Sequence, residues 1–535
     1  MTRPTTWRIP ALAFTAITAS ARIASATCDV TAFGATGNGT TDDRAAIQSA
    51  INACSSSGDR DVYLPSGIYL VTQAGSAFYN LNLPAGIRLR GASQAGAVIK
   101  QAAGTAGSVR ILQITGDDIH VEDLTLDGNK ANQAADEHRA GIFATSTNRL
   151  VVHNVTAQNF TGDGFYLYVG ANQSTLRNVY ATGNARNGIT LGASITGAVV
   201  TASRFIGNAA QQVDSEPGSG ATVNNISITD CTIDGAGVSN DYALTVSGSG
   251  SASRSYGWTV AGNTINGGIF VVWTDGVDIV GNNGINPTTK PSVTVYRKST
   301  NVSIASNDFR MTQTTVNSLG AISVIGTGAG QTPERVAVTG NTVKVDLATA
   351  VAVLSTGAVS LTVNGNHLRG AGAASAGDTG IYLRATIPTE DFRSVVITDN
   401  TISDFGQYGV VVNGNLTSRL LALDISHNMF DDDSPTPTMT TAMKLDDGTG
   451  AVKQLSLIGN QLLGGVATAV ASYPAGVAVL IGGTPSASPV YSVVGTPEGQ
   501  VTAPVGATAV RRDGGAGTTF YVKESGTGNT GWVAK

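Results

Sequence analysis

The chain has 535 residues, with 32 Lys and Arg against 37 Asp and Glu, and its net charge of −5 includes no basic stripe of the kind that grips nucleic acid. Charged residues make up only 13% and Gly numbers 66, a strand-and-turn composition. No apolar run approaches the roughly 18 residues of a membrane-spanning helix, and the length exceeds what one compact core usually holds, which leaves stacked repeats as the economical solution.

In chain order, Arg3 and Arg8 flank a modestly apolar run from Ile9 to Ala19, and Ala24-Ser25-Ala26 has the small-x-small form of a cleavage site. Residues 1–26 therefore read as a secretion signal, with a disordered leader as the alternative. Residues 29–35 read as a short strand ending in a Gly turn. Thr40-Thr41-Asp42-Asp43 offers helix caps, and Ala46, Ile47, Ala50 and Ile51 give a helical apolar stripe. Residues 61–70 read as strand, Pro65-Gly67 turn, strand. A helix here would cover the end strands of a β stack. Cys28 and Cys54 can meet at that capped end and close a loop, or remain ordinary buried thiols; Cys231 reads as a buried, unpaired thiol.

The run Phe33-Gly34-Ala35, Gly39-Thr40-Thr41-Asp42-Asp43-Arg44-Ala45-Ala46-Ile47, followed by Val62-Tyr63-Leu64-Pro65-Ser66-Gly67 and by Asp123-Leu124-Thr125-Leu126-Asp127-Gly128-Asn129, resembles the opening of the pectate-lyase-like superfamily. That superfamily includes rhamnogalacturonases, polygalacturonases, mannuronan C5-epimerases and phage tailspike depolymerases. The resemblance implies an all-β, right-handed, single-stranded parallel β-helix with an N-terminal capping helix, acting on an extracellular polysaccharide. It also implies a Cys28–Cys54 disulfide, as in rhamnogalacturonase-type relatives, and a location outside the cell or on a virion. Tailspike relatives are trimers, so a homotrimer is allowed. The motif is specific for fold and poorly specific for reaction.

Beyond residue 260 a short pattern returns: apolar, two residues, Asn, one residue, apolar. It places Asn263, Asn282, Asn307, Asn341, Asn366, Asn400, Asn428 and Asn460 at separations of 19, 25, 34, 25, 34, 28 and 32 residues, the period of a stacked supersecondary unit. An Asn recurring at a turn suits left-handed backbone and side-chain hydrogen bonds up the axis, so these Asn residues are structural. Cys231 occupies the same slot in its own coil. The helix is expected over 27–484, a linker rich in Pro, Ser and Gly over 485–500, and over 501–535 a small β tail that resembles a module of phage tail proteins.

Period-2 alternation sets which side chains face outward. Tyr166 and Tyr168 project from one strand, Thr190 from the next, and Asp214 and Glu216 from a third. Two residues apart on a strand, Asp214 and Glu216 are expected roughly 6.5–7 Å apart at the backbone, near the spacing that lets an inverting glycosidase fit a water between acid and base. Two like charges so close raise one pKa. Asp163 is a third carboxylate about two coils away. His138 and Arg139 are candidates for the lower end of the groove, with Trp273, Tyr296 and Arg297 as later sugar-binding positions. The polygalacturonase acid triplet and its Gly-His-Gly and Arg-x-Lys signatures are missing, and the epimerase Asp-Pro-His-Glu motif is absent at residues 165–168, where it would fall. No metal-ligand cluster is evident, Asp431-Asp432-Asp433 reads as a loop, and no cofactor is implied. The sequence thus points to a polysaccharide hydrolase working through a carboxylate pair, with a β-eliminating lyase or a non-catalytic glycan-binding adhesin or tail fibre as alternatives.

Overall fold

A computed structural model describes residues 27–237, 242–312, 319–328, 330–347, 351–372, 379–384, 392–413, 420–445, 452–471, 479–484 and 487–535. The expected signal, 1–26, lies outside them. The chain winds into a right-handed parallel β-helix. One face is a sheet of fifteen strands stacked in chain order from Tyr79–Leu83 to Thr468–Val470, every neighbouring pair parallel. The other faces form a second long ladder, in which Val151–Gln158 lies between His120–Asp127 and the strands Thr175–Arg177 and Tyr180–Thr182. One residue from each inward position fills a continuous apolar core running the length of the helix. Among the described residues no helix is long and apolar enough to cross a membrane.

The N-terminal end is closed by the helix Arg44–Ser57, which buries Ile47, Ala50, Ile51 and Cys54. Its start differs in detail from the expected cap. Asp42 accepts from the Arg44 amide at 3.1 Å, while Asp43 turns away and accepts from the Thr36 amide at 2.7 Å and the Gly37 amide at 3.1 Å, tying the preceding loop to the helix. Cys28 and Cys54 are joined, with Cα atoms 6.0 Å apart across 26 residues of sequence. Closing a loop of that length constrains the unfolded chain by about 3 kcal/mol. Cys231 is buried and free.

The repeated Asn residues form an internal ladder. From Asn263 to Asn428 each side-chain amide donates to the Oδ1 of the Asn one coil on, at 2.9–3.1 Å, and the backbone N–H of the same residue donates to that same oxygen. The second amide hydrogen goes to a backbone carbonyl, as from Asn341 to Ile304 at 2.8 Å. The left-handed residue is not the Asn, however, but the one before it: Gly262, Gly281, Ser306, Gly340, Gly365, Asp399, His427 and Gly459 all have positive φ. The kink sits one residue early so that the Asn can point into the stack.

At the C-terminal end the expected linker contains structure. Ala487–Val493 pairs antiparallel with Val479–Thr484 and parallel with Thr508–Arg511, and two further antiparallel strands, Phe520–Lys523 and Trp532–Ala534, complete a small unit. Its core of Val493, Val501, Ala503, Ala507, Ala509, Tyr521 and Trp532 is separate from that of the helix.

Replacing Asn341 with Ala strands both donors of Asn307 and the Ile304 carbonyl. The expected loss is about 2–4 kcal/mol, read as a lower denaturant midpoint at constant slope; an unchanged midpoint would contradict a stabilising role for the ladder.

Candidate active site

On the fifteen-strand sheet one outward ladder runs Gln113, Phe143, Tyr166, Thr190, Asp214 on successive coils, and beside it Gly192 stands opposite Glu216. The strands Asp163–Leu167, Ile189–Gly192 and Val213–Glu216 enter this face from stacked turns. The turn carrying Arg186 sits directly on the turn carrying Asp163: the Ala185 amide donates to Phe160 O at 2.8 Å and the Arg186 amide to Gly162 O at 3.1 Å. Gly162 is required there, because a Cβ would lie 2.3 Å from the carbonyl oxygens of Arg139 and Glu137.

Arg186 is the centre of the site. Its Nη1 donates to Asp163 Oδ2 at 2.8 Å, its Nη2 to Glu216 Oε1, and its Nε lies 3.9 Å from Glu137 Oε2. Asp163 has no exposed surface and also accepts from the Asn187 amide and the Thr190 hydroxyl, both at 3.0 Å. The Asn187 side chain bridges onward, donating to Asp214 Oδ2 at 3.1 Å. Asp214 is 5% exposed, whereas Glu216 reaches the surface.

One guanidinium cannot neutralise three carboxylates. Burial pushes the Asp163 carboxyl up to about 7 against the pull of Arg186, Asn187 and Thr190. Burial pushes Asp214 well above the ordinary carboxyl range, reinforced by the charge of Glu216 and a hydrogen bond to it. Arg186 is held firmly cationic, its desolvation outweighed by Asp163 and Glu216. The Asp214 and Glu216 carboxyls are within hydrogen-bonding reach of one another.

Aromatic rings line the neighbouring coils. Tyr166 stands edge-on to Phe143 and to Tyr168, each at 5.4 Å between centroids, and the Arg110 guanidinium lies 4.3 Å over the Phe143 ring. Gly192 makes room, since a Cβ there would meet the Tyr168 ring at 2.7 Å and the Tyr166 ring at 3.0 Å. Burial and the charge of Glu216 push the Tyr166 hydroxyl up to about 12. His138 is exposed at the rim, its Nε2 3.9 Å from Glu137 Oε1.

Asp163, Asp214, Glu216, Tyr166, Tyr168 and His138 thus come together. Arg139 does not line the groove. It is 1% exposed, and its guanidinium turns inward to Gln133 Oε1 at 3.0 Å and to the Thr105 carbonyl. Only its backbone serves the site, accepting from the Asp163 amide at 2.9 Å. Trp273, Tyr296 and Arg297 form a separate cluster farther along the same face. Arg186, Asn187 and Glu137 escaped the sequence reading. The signal for Arg186 and Asn187 was the 24-residue step from Tyr166 to Thr190 to Asp214, which also carries Gly162 to Arg186 and Asp163 to Asn187.

Because the folded state holds the Asp163 proton more tightly than the unfolded chain, whose carboxyl titrates near 4, the Asp163 contribution to stability is greatest below about pH 4 and is lost as the pH rises toward 7. The destabilisation caused by Asp163→Asn, followed by denaturant titration, is expected to shrink between about pH 5 and pH 8; a destabilisation that grows over this interval would contradict the raised pKa.

A family model described as rhamnogalacturonase A/epimerase, pectate lyase-like, matches residues 27–120. Mannuronan C5-epimerase AlgE6 of Azotobacter vinelandii is 42% identical over 106 residues, 19% of this chain and 12% of that protein. Alginate lyase 7 of the same organism is 39% identical over 108 residues, again 19% and 12%. The chain therefore matches about an eighth of the length of these two curated relatives. Among solved structures, the AlgE6 A-module is 19% identical with a TM-score of 0.39, covering 85% of this chain and 99% of its own. Gene product 12 of bacteriophage phi29 is 14% identical with a TM-score of 0.47, covering 85% and 73%. The family match ends before Asp163, so it bears on the scaffold and not on the carboxyl cluster. The opening segment, residues 27–120, is thus similar to the rhamnogalacturonase A/epimerase, pectate lyase-like family, and the parallel β-helix continues beyond it.

Proposed function

We propose that the chain is a glycoside hydrolase that cleaves an extended extracellular polysaccharide laid across the fifteen-strand face, outside the cell or on a virion. The observation that carries the proposal is Asp214, a carboxyl kept protonated by burial and by its contact with Glu216, beside an aromatic platform. A general acid for a glycosidic oxygen must hold its proton near neutral pH. In the free chain the two carboxyls are in hydrogen-bonding contact. The scissile oxygen of the substrate displaces Glu216 from Asp214 and takes over the Asp214 proton. As the bond from that oxygen to the anomeric carbon breaks, water adds to the carbon and gives its proton to Glu216, the more exposed carboxylate. Arg186 stays paired with Glu216 as it moves and holds Asp163 in place. Tyr166, Tyr168 and Phe143 offer ring faces and edges to the apolar side of a pyranose.

A β-eliminating or epimerising enzyme is the second reading, favoured by the mannuronan epimerases and the alginate lyase that match the opening segment. The centre itself supports it less. Arg186 is already engaged by carboxyl groups and so is not free for a uronate, and Tyr166, pushed up to about 12, is a poor base.

Purified chain is to be incubated with a panel of capsular and plant polysaccharides. New reducing ends without ultraviolet-absorbing unsaturated sugars are expected; absorbing products would establish the lyase instead, and binding without either an adhesin, or an epimerase if the bound uronates are inverted at C5. Asp214→Asn and Glu216→Gln are each expected to lower kcat by about 10²–10⁴-fold, and the alkaline limb of the pH–rate profile should lie well above the ordinary carboxyl range. Full cleavage by both variants would end the carboxyl-pair proposal.

A further inference from the structure

Farther along the same face the outward ladder continues through Phe270 and Thr294, two and three coils beyond Asp214, and the ladder of Glu216 continues through Val272 to Tyr296. At about 4.8 Å per coil, Tyr296 stands about 14 Å from Glu216. The rings here are contiguous: Tyr242 and Phe270 are 4.9 Å apart, Phe270 and Tyr296 5.7 Å. Two cations lie on them. The Arg297 guanidinium is 4.7 Å from the Trp273 ring and 5.1 Å from the Tyr296 ring, and Lys290 Nζ is 5.7 Å from the Tyr242 ring.

Two features separate this cluster from ordinary surface packing. First, the neighbouring cations are matched with acids, Arg254 with Asp275 and Lys298 with Glu334, while Arg297 and Lys290 form no ion pair among the described residues. Arg297 also has a buried Nε without a hydrogen-bond partner. Second, Trp273 and Arg297 follow paired residues on adjacent coils and both adopt positive φ, 51° and 54°. Here the kink ends each strand so that indole and guanidinium stack on one another. The Trp273 indole is fixed from behind by Gln331 Oε1 at 3.2 Å.

We infer that Trp273, Tyr296, Arg297 and Lys290, with Tyr242 and Phe270, form a subsite for an anionic sugar unit of the same polysaccharide, one bearing a carboxylate or sulfate. The rings take the pyranose and the unmatched cations take its charge. The carboxyl cluster around Arg186 is itself acid-rich and repels such a unit, so the anion is recognised three coils away, where cations prevail. This rests on the reading of the face as a polysaccharide groove but not on any cleavage step.

The test is equilibrium binding by the full chain to polygalacturonate and to alginate, each against its carboxyl-reduced form, and to dextran sulfate against dextran. A preference for at least one charged chain, weakened by salt, is expected. Arg297→Gln should lower that preference about tenfold while leaving binding to the neutral form unchanged, Arg297→Lys should restore part of it, and Trp273→Ala should weaken both. Asp214→Asn should keep the preference, so loss of cleavage and loss of this subsite are read separately. Carboxylate and sulfate sources are told apart by which chains bind. Equal binding of charged and neutral chains by the wild type, or an undiminished preference in Arg297→Gln, would overturn the inference.

Discussion

Parallel coils rise about 4.8 Å per turn, and every turn buried between two others must satisfy its backbone donors with what the next coil supplies. The Asn ladder meets that requirement with one side chain per coil, each Oδ1 serving both the side chain and the backbone of the Asn one coil before it. Register follows from it. Once a coil cannot slip, the outward positions of successive strands are fixed in line, and residues 24 apart in sequence become neighbours. The coils of the site carry the same device, Asn184 donating through backbone and side chain to Asn208 Oδ1: Asp163, Arg186 and Glu216 come from three consecutive coils, and no short stretch of chain contains all of them.

The cluster they form is electrostatically unbalanced. A lone buried carboxylate is costly, a matched pair less so, and three carboxyls around one guanidinium leave an excess that protonation relieves. The scaffold tolerates the imbalance because the flanking coils are well packed. Function and stability pull in opposite directions here: the burial that raises the Asp214 carboxyl above the ordinary range also makes the ionised cluster expensive to fold.

The parts written in local pattern were legible in the sequence. The repeat named the solenoid, the opening motif named its cap, and Cys28 and Cys54 meet as the resemblance implied. The Asn residues were correctly taken as structural, although their kink belongs to the preceding residue, because an Asn turned inward needs its own φ negative. Arg186 and Asn187 were missed for a different reason. They lie in a turn, where neither alternation nor composition marks function, and only the coil-to-coil step places them beside Asp163. Arg139 was misread because a charged residue after Asp136-Glu137 reads as exposed, whereas its guanidinium finds Gln133 and the Thr105 carbonyl inside. Asp214 and Glu216 were placed on one strand by alternation, but alternation alone did not show that Glu216 pairs with Arg186 and hydrogen-bonds Asp214.

The most direct measurement is the protonation of the cluster itself, by carbon-13 NMR of carboxyl-labelled Asp across a pH titration, with Asp214→Asn assigning the signal. The Asp214 carboxyl should remain protonated well past the pH at which surface carboxyls have ionised. An Asp214 signal that titrates with the surface group, near pH 4, would contradict a proton held at the centre of the site and the acid chemistry built on it.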